Sequence, residues 1–251
     1  MRGISGLVWV LGLGLPLSAK EPARPVDGAR EVVAAITREA RRNAAAPRPA
    51  AGDDLTVLYV RSAAAAARRL PPEQAPGAML LALGVALDDS DLLRRNPLTA
   101  GLCKQIETDD ERQKRLAVLG TPTVRGRRDL CQHFVVSALL TEAGSAVLAE
   151  AAGLLKEQRD MRKGGSGFSF ADLQADLAGV AFAVRLKKGE LSPEKLAKGF
   201  VVADFVPDHA GLKEGLSEER FKELFGSTTD DRFRAEVDKL RRRIEAAGKK
   251  D

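Results

Sequence analysis

The chain has 251 residues, with 40 Lys and Arg against 35 Asp and Glu, for a formal net charge of +5. With 44% hydrophobic and 30% charged residues it can bury a full core, which argues against wholesale disorder. Only 4% of residues are aromatic and the apolar content is largely Ala, Leu and Gly, which argues against a β-sandwich or barrel.

The chain opens like an export signal. Arg2 gives a short positive region, Ile4–Leu17 is uncharged and apolar, and Leu17-Ser18-Ala19 offers small residues before Lys20. That layout predicts a cleaved signal peptide over residues 1–19 and an exported, periplasmic or extracellular product. Cleavage after Ala19 removes one cation and no acid, which lowers the charge to +4. No cysteine lies near the cleavage point, and no later stretch reaches membrane length without a charge.

Residues 20–54 are rich in Pro, Ala and Arg and read as a segment apart, with a short helix over 26–42 and a linker over 44–54. A single helical domain is expected over 55–251, with 127–186 as a three-helix core. The run AAAAARR favours a helix from Leu55 to Leu70, which Pro71-Pro72 interrupts. A second helix can start at Pro76 and run to Leu87. The acidic run Asp88–Asp91 lacks the spacing of a calcium loop and reads as a turn.

A charged helix follows over 109–119, then a break at Thr121-Pro122. Three apolar-periodic runs come next: 129–140, 145–161 and a third opened by Ser169 with Asp172 as a capping box. Beyond them, Ser192-Pro193 starts a helix, 200–206 reads as a short strand or extended piece, and Ser217 caps a helix to Phe225. The last helix, 230–247, places Phe233, Val237, Leu240 and Ile244 on one face. Two heptads are too few for a coiled coil, so the face is expected to dock on the body. Its basic run, 239–243, comes with few aromatics to stack bases, and nucleic acid is not an expected partner. The whole reads as an all-α helical bundle.

Cys103 and Cys131 are the only cysteines. In an oxidising compartment they can pair as a disulfide, or remain two buried thiols; spacing does not decide between these.

The central helices carry the most chemistry. Asp129 and His133 are four apart, so a helix puts the carboxylate where it can hold the imidazole. Glu157 and Asp160 are three apart on the next helix, with Ala149 and Gly153 continuing the face. Asp172 and Asp176 are four apart on the third, beside Ala175 and Gly179. If the helices pack, one histidine and several carboxylates converge, as in metal sites built inside bundles. Each residue also has a plainer reading. Asp129 and Asp172 can cap helices, Glu157 and Asp160 can pair with Lys156, and Asp176 is the weakest candidate.

The runs D-x-x-x-H-F at 129–134, K-E-x-x-D at 156–160 and G-F-S-x-x-D-L-x-A-x-x-x-G at 167–179 resemble the core of a family of predicted bacterial periplasmic lipoproteins without assigned activity. The resemblance covers about residues 127–184 and matches His133, Lys156, Glu157, Asp160, Ser169, Asp172 and Gly179. It implies an envelope location and supplies no reaction. The chain departs from the family in lacking the lipid-attachment cysteine and in its longer flanks.

Three readings follow. The first is a non-catalytic envelope protein whose polar cluster of Asp129, His133, Lys156, Glu157, Asp160, Ser169 and Asp172 is structural. The second is a divalent-metal protein or metal-assisted hydrolase using His133, Glu157, Asp160 and Asp172. The third is a binding module for an anionic envelope component.

Overall fold

The computed structural model describes residues 25–97, 99–161 and 165–248. Its helices in chain order are α1 (Pro25–Ala44), α2 (Gly52–Ala67), α3 (Ala75–Leu87), α4 (Leu92–Arg95), α5 (Ala100–Ile106), α6 (Asp109–Leu119), α7 (Arg128–Ala143), α8 (Ala146–Asp160), α9 (Phe170–Lys187), α10 (Pro193–Gly199), α11 (Glu218–Phe225) and α12 (Asp231–Ala247). Among the described residues there is no strand, only three isolated bridges. The fold is all-α. No described helix is long and apolar enough to cross a membrane. The expected leader, 1–19, lies outside the described residues.

Of residues 20–54, the described part from Pro25 onward forms α1 and the start of α2. Pro25 sits in the first turn of α1, Asp27 follows it, and Arg41 and Arg42 close the helix, which suits the helix dipole at both ends. Ala29, Val32, Ile36 and Ala40 form one fully buried stripe at helical spacing. That stripe packs on α3 and α2. A proline- and arginine-rich composition therefore concealed a core helix, because only one narrow face of α1 is apolar.

The centre is α3, in which every residue but Pro76 is buried. Such a helix shows no amphipathic period because every side meets a neighbour. It lies between α1 and α7. Gly84 lets the two backbones close up: a Cβ there would come within 2.4 Å of the Leu139 side chain on α7.

α7, α8 and α9 each pack on the other two. At Gly179 a Cβ would stand 2.1 Å from the Phe134 carbonyl oxygen, so glycine sets the α7–α9 distance. The Ser169 hydroxyl accepts from the Asp172 N–H at 3.1 Å, as the capping box predicts. The reciprocal half differs: the Ser169 N–H donates to Glu157 of α8 at 2.9 Å, not to Asp172.

All nine Phe side chains fall into two clusters. Phe168, Phe170, Phe221, Phe225 and Phe233 fasten α11 and α12 to the start of α9. Phe134, Phe182, Phe200 and Phe205 hold the 200–206 piece against α7 and α9. That piece is a 3-10 turn at Val202–Asp204 and not a strand, and among the described residues no bridge pairs it with another segment. The final helix docks as expected, burying Phe233, Leu240 and Ile244.

Cys103 and Cys131 are both buried and free, so no disulfide joins them. The Cys131 thiol lies 3.7 Å from the Thr56 hydroxyl. Burial pushes its pKa up to about 12, which leaves it an inert thiol.

Candidate functional site

The charged faces of α7, α8 and α9 converge. His133 projects from α7 into the seam with α9 and is buried. Its Nδ1 lies 3.0 Å from Asp176 Oδ1, and its Nε2 lies 3.2 Å from Asp172 Oδ2. The two carboxylates are four residues apart on α9, so one helical face offers both ring nitrogens an acceptor. The Ser137 hydroxyl, one turn after His133, donates to the same Asp176 Oδ1 at 2.6 Å.

Asp129 does not hold the imidazole. It turns to Arg127, whose Nη2 lies 2.6 Å away, and that contact keeps its carboxyl below the usual range. Asp176, the weakest candidate by sequence, is instead central. Its Oδ2 is buried without a hydrogen-bond partner and faces α8 at Gly153, where a Cβ would stand 2.5 Å from it.

From α8, Glu157 is fully buried and receives the Ser169 N–H. Lys156 reaches over it: Nζ lies 3.2 Å from Glu157 Oε1, 2.9 Å from Asp160 Oδ2 and 3.9 Å from Asp172 Oδ2. The ligand atoms of His133, Glu157 and Asp172 lie within 4.8 Å of one another, a spacing that could hold a metal ion. Asp160 stands outside that group and serves as a partner of Lys156.

Sequence reasoning missed Arg127, Ser137 and Glu214. Arg127 donates to Asp129, Asp172 and Glu214, joining α7, α9 and the 205–217 loop. No local signal marks it, because Glu214 is brought close by backbone hydrogen bonds of Phe168 with Leu216 and of Phe170 with Lys213. Ser137 was detectable as the next position on the His133 face.

Electrostatically the site is a network of alternating charge. Burial alone would lower the His133 pKa, but Asp176 and Asp172 outweigh it and push the value up to about 10. His133 is therefore an imidazolium at neutral pH, with both N–H groups committed. Asp172 sits in a buried place that would raise its pKa, yet His133 and Lys156 hold it below the ordinary carboxylate value. Burial raises the pKa of Glu157 despite Lys156.

Chemically, the two side chains best suited to act as base or nucleophile are already committed. A general base needs a free nitrogen, and His133 has none. Ser137 is buried and already donates to a carboxylate. Four surface cavities, of about 290 to 470 Å³, are lined by other residues.

Compared with protein-family models, curated proteins and solved structures, the chain matches none.

Proposed function

We propose that this is a non-catalytic helical protein of the bacterial envelope whose His133 network is structural. The observation that carries this reading is that both nitrogens of His133 are engaged by carboxylates of one neighbouring helix. An imidazolium so held locks the rotation of α9 against α7, since turning either helix breaks two contacts. Lys156 and Arg127 extend the lock to α8 and the 205–217 loop. Buried polar networks can specify one packing, and in this one the atoms facing His133 are paired while Asp176 Oδ2 is not. The envelope location rests on the signal-like start and on the resemblance of residues 127–184 to periplasmic lipoproteins.

A second reading has its own support. His133, Glu157 and Asp172 have the spacing of a three-ligand metal set, and Asp176 on Nδ1 is placed like the outer carboxylate of a carboxylate–histidine–metal triad. Against it, the Lys156 ammonium already stands between two of the ligand carboxylates.

Metal analysis and melting of the full chain, purified from the bacteria that produce it, separate the two. The structural reading expects no stoichiometric metal, no effect of chelator, and a cost of about 3 kcal/mol for His133→Ala. Stoichiometric zinc or manganese, lost in His133→Ala, would replace it with the metal reading. Fractionation and N-terminal sequencing test the location: a periplasmic product beginning at Lys20 is expected, and a cytoplasmic product that retains Met1 would overturn it.

A further inference from the structure

We propose that the groove between α1 and α6 is a binding site for a phosphate group carried on an apolar body. It lies away from the His133 network and does not depend on the reading of that network. The groove is an open cavity of about 330 Å³. Arg30, Val33, Ala34, Thr37, Arg38 and Arg41 line it from α1, and their spacing of three and four makes one continuous stripe. Ile106 and Glu107 at the end of α5, with Glu111 and Lys114 of α6, form the other wall.

Glu111 is the acid that faces Arg30 and Lys114, and Arg38 and Arg41 have none of their own. Glu107 is spent inside the protein: Arg115 binds it at 2.7 and 2.9 Å, and Arg94 at 3.0 Å. Glu111 closes the α6 capping box, accepting the Thr108 N–H at 2.8 Å and its hydroxyl at 2.9 Å. Arg30 donates to the Gln105 carbonyl and is fixed in place. The side chains of Arg38, Arg41 and Lys114 form no hydrogen bond or ion pair among the described residues, and all three are exposed.

Elsewhere on this surface, cations are commonly paired within their own helix, as Arg42 is with Glu39 and Lys222 with Glu218. Like charges gathered along one groove repel each other and raise a local positive potential, which a bound anion relieves. Two guanidinium forks and an ammonium, arriving from two helices, supply donors from several directions. That suits a tetrahedral oxyanion with three or four acceptor oxygens better than a planar carboxylate. The floor supplies the second half of the specificity. Val33 and Ile106 are buried beneath the cations, with Ala34 beside them, so an apolar group next to the phosphate meets hydrocarbon.

The test titrates the full chain with two probes, followed by calorimetry and by NMR of the Ala34 and Thr37 amides. One probe is inorganic phosphate. The other is a short-chain phosphatidylglycerol kept below its micelle concentration. Both are expected to bind and to shift those amides, with binding weakening as salt is raised. Phosphatidylglycerol binding at least about tenfold tighter would identify a phosphate carried on an apolar body as the ligand, and equal affinity would overturn the apolar half of the proposal.

Arg38→Ala/Arg41→Ala should weaken both probes by about tenfold or more, through loss of charge-assisted hydrogen bonds. Its melting temperature should match wild type, because neither side chain has a partner to lose. Arg234→Ala/Arg241→Ala, on α12, should bind as wild type does. Absence of binding by either probe, full binding by the α1 variant, or equal loss in the α12 variant would each overturn the proposal. None of these outcomes bears on the metal content or melting of His133→Ala, so the two readings fail separately.

Discussion

His133 shows how a single residue reverses the usual effect of burial. A lone buried histidine loses its proton, whereas this one keeps it because Asp172 and Asp176 bracket the ring. The direction fixes a pH signature. Its folded pKa, about 10, lies above the ordinary 6.5, so the stability it contributes is fully present below 6.5 and is lost as pH rises through 10. Urea unfolding of wild type and His133→Gln should therefore show a wild-type advantage that is full just below 6.5, gone above 10, and lost again in strong acid as the partner carboxylates protonate. An advantage that grows as pH rises above 6.5 would contradict the charged state assigned here. Glu157 behaves oppositely, since burial disfavours its charge. Glu157→Gln keeps an acceptor for the Ser169 N–H and should cost little at neutral pH. Glu157→Ala leaves that donor unpaired and should cost about 2 kcal/mol by the same unfolding assay.

At the scale of elements, α8 is built inside out. Glu157 is fully buried on its inner face, while Val147, Leu148 and Leu155 are 78%, 63% and 60% exposed on the outer one. The helix exists because the inner face carries the network and because Gly153 and Ala149 admit α9. Its outer apolar residues should then be dispensable for folding. Leu148→Ser is expected to change stability by no more than about 0.5 kcal/mol in thermal melts. Gly179 is the contrasting position. A methyl group there meets the Phe134 backbone carbonyl, which cannot swing aside as a side chain would. Gly179→Ala should destabilise by about 3 kcal/mol, and an unchanged melting temperature would mean that α7 and α9 are less tightly joined than described.

Across the whole molecule, the arrangement depends on a second buried ion pair far from the first. Arg115 and Glu107 are both buried, linked in a fork at 2.7 and 2.9 Å, and Arg115 also donates to the Ala86 carbonyl at 2.6 Å. They tie α6 and the end of α5 to the C-terminal end of α3. Removing Arg115 leaves the buried Glu107 carboxylate to Arg94 alone, while removing both replaces the fork by hydrocarbon and leaves Arg94 with Asp109. Arg115→Leu should cost about 4 kcal/mol, and the double variant Arg115→Leu/Glu107→Leu should recover part of that in chemical unfolding. A double variant less stable than the single would show the pair to be net stabilising.

The amino-acid sequence determined the all-α class, most helix positions from α6 onward, the Ser169 cap and the small residues that let α7, α8 and α9 close. These are local matters of period, capping and side-chain size. It also marked His133, Glu157 and Asp172 as residues that would meet if their helices packed. Tertiary structure alone decided who pairs with whom. Asp176 displaced Asp129 as the partner of His133, because the rotation of α9 about its axis, set by Gly179 against α7, has no signature in spacing. Arg127 entered the network through a loop nearly ninety residues away in sequence, which accords with the separation of 87 to Glu214. The place of α1 in the core and the burial of Arg115 were hidden for the same reason. Composition reports what a residue prefers in water, and only the surrounding helices decide whether it stays there.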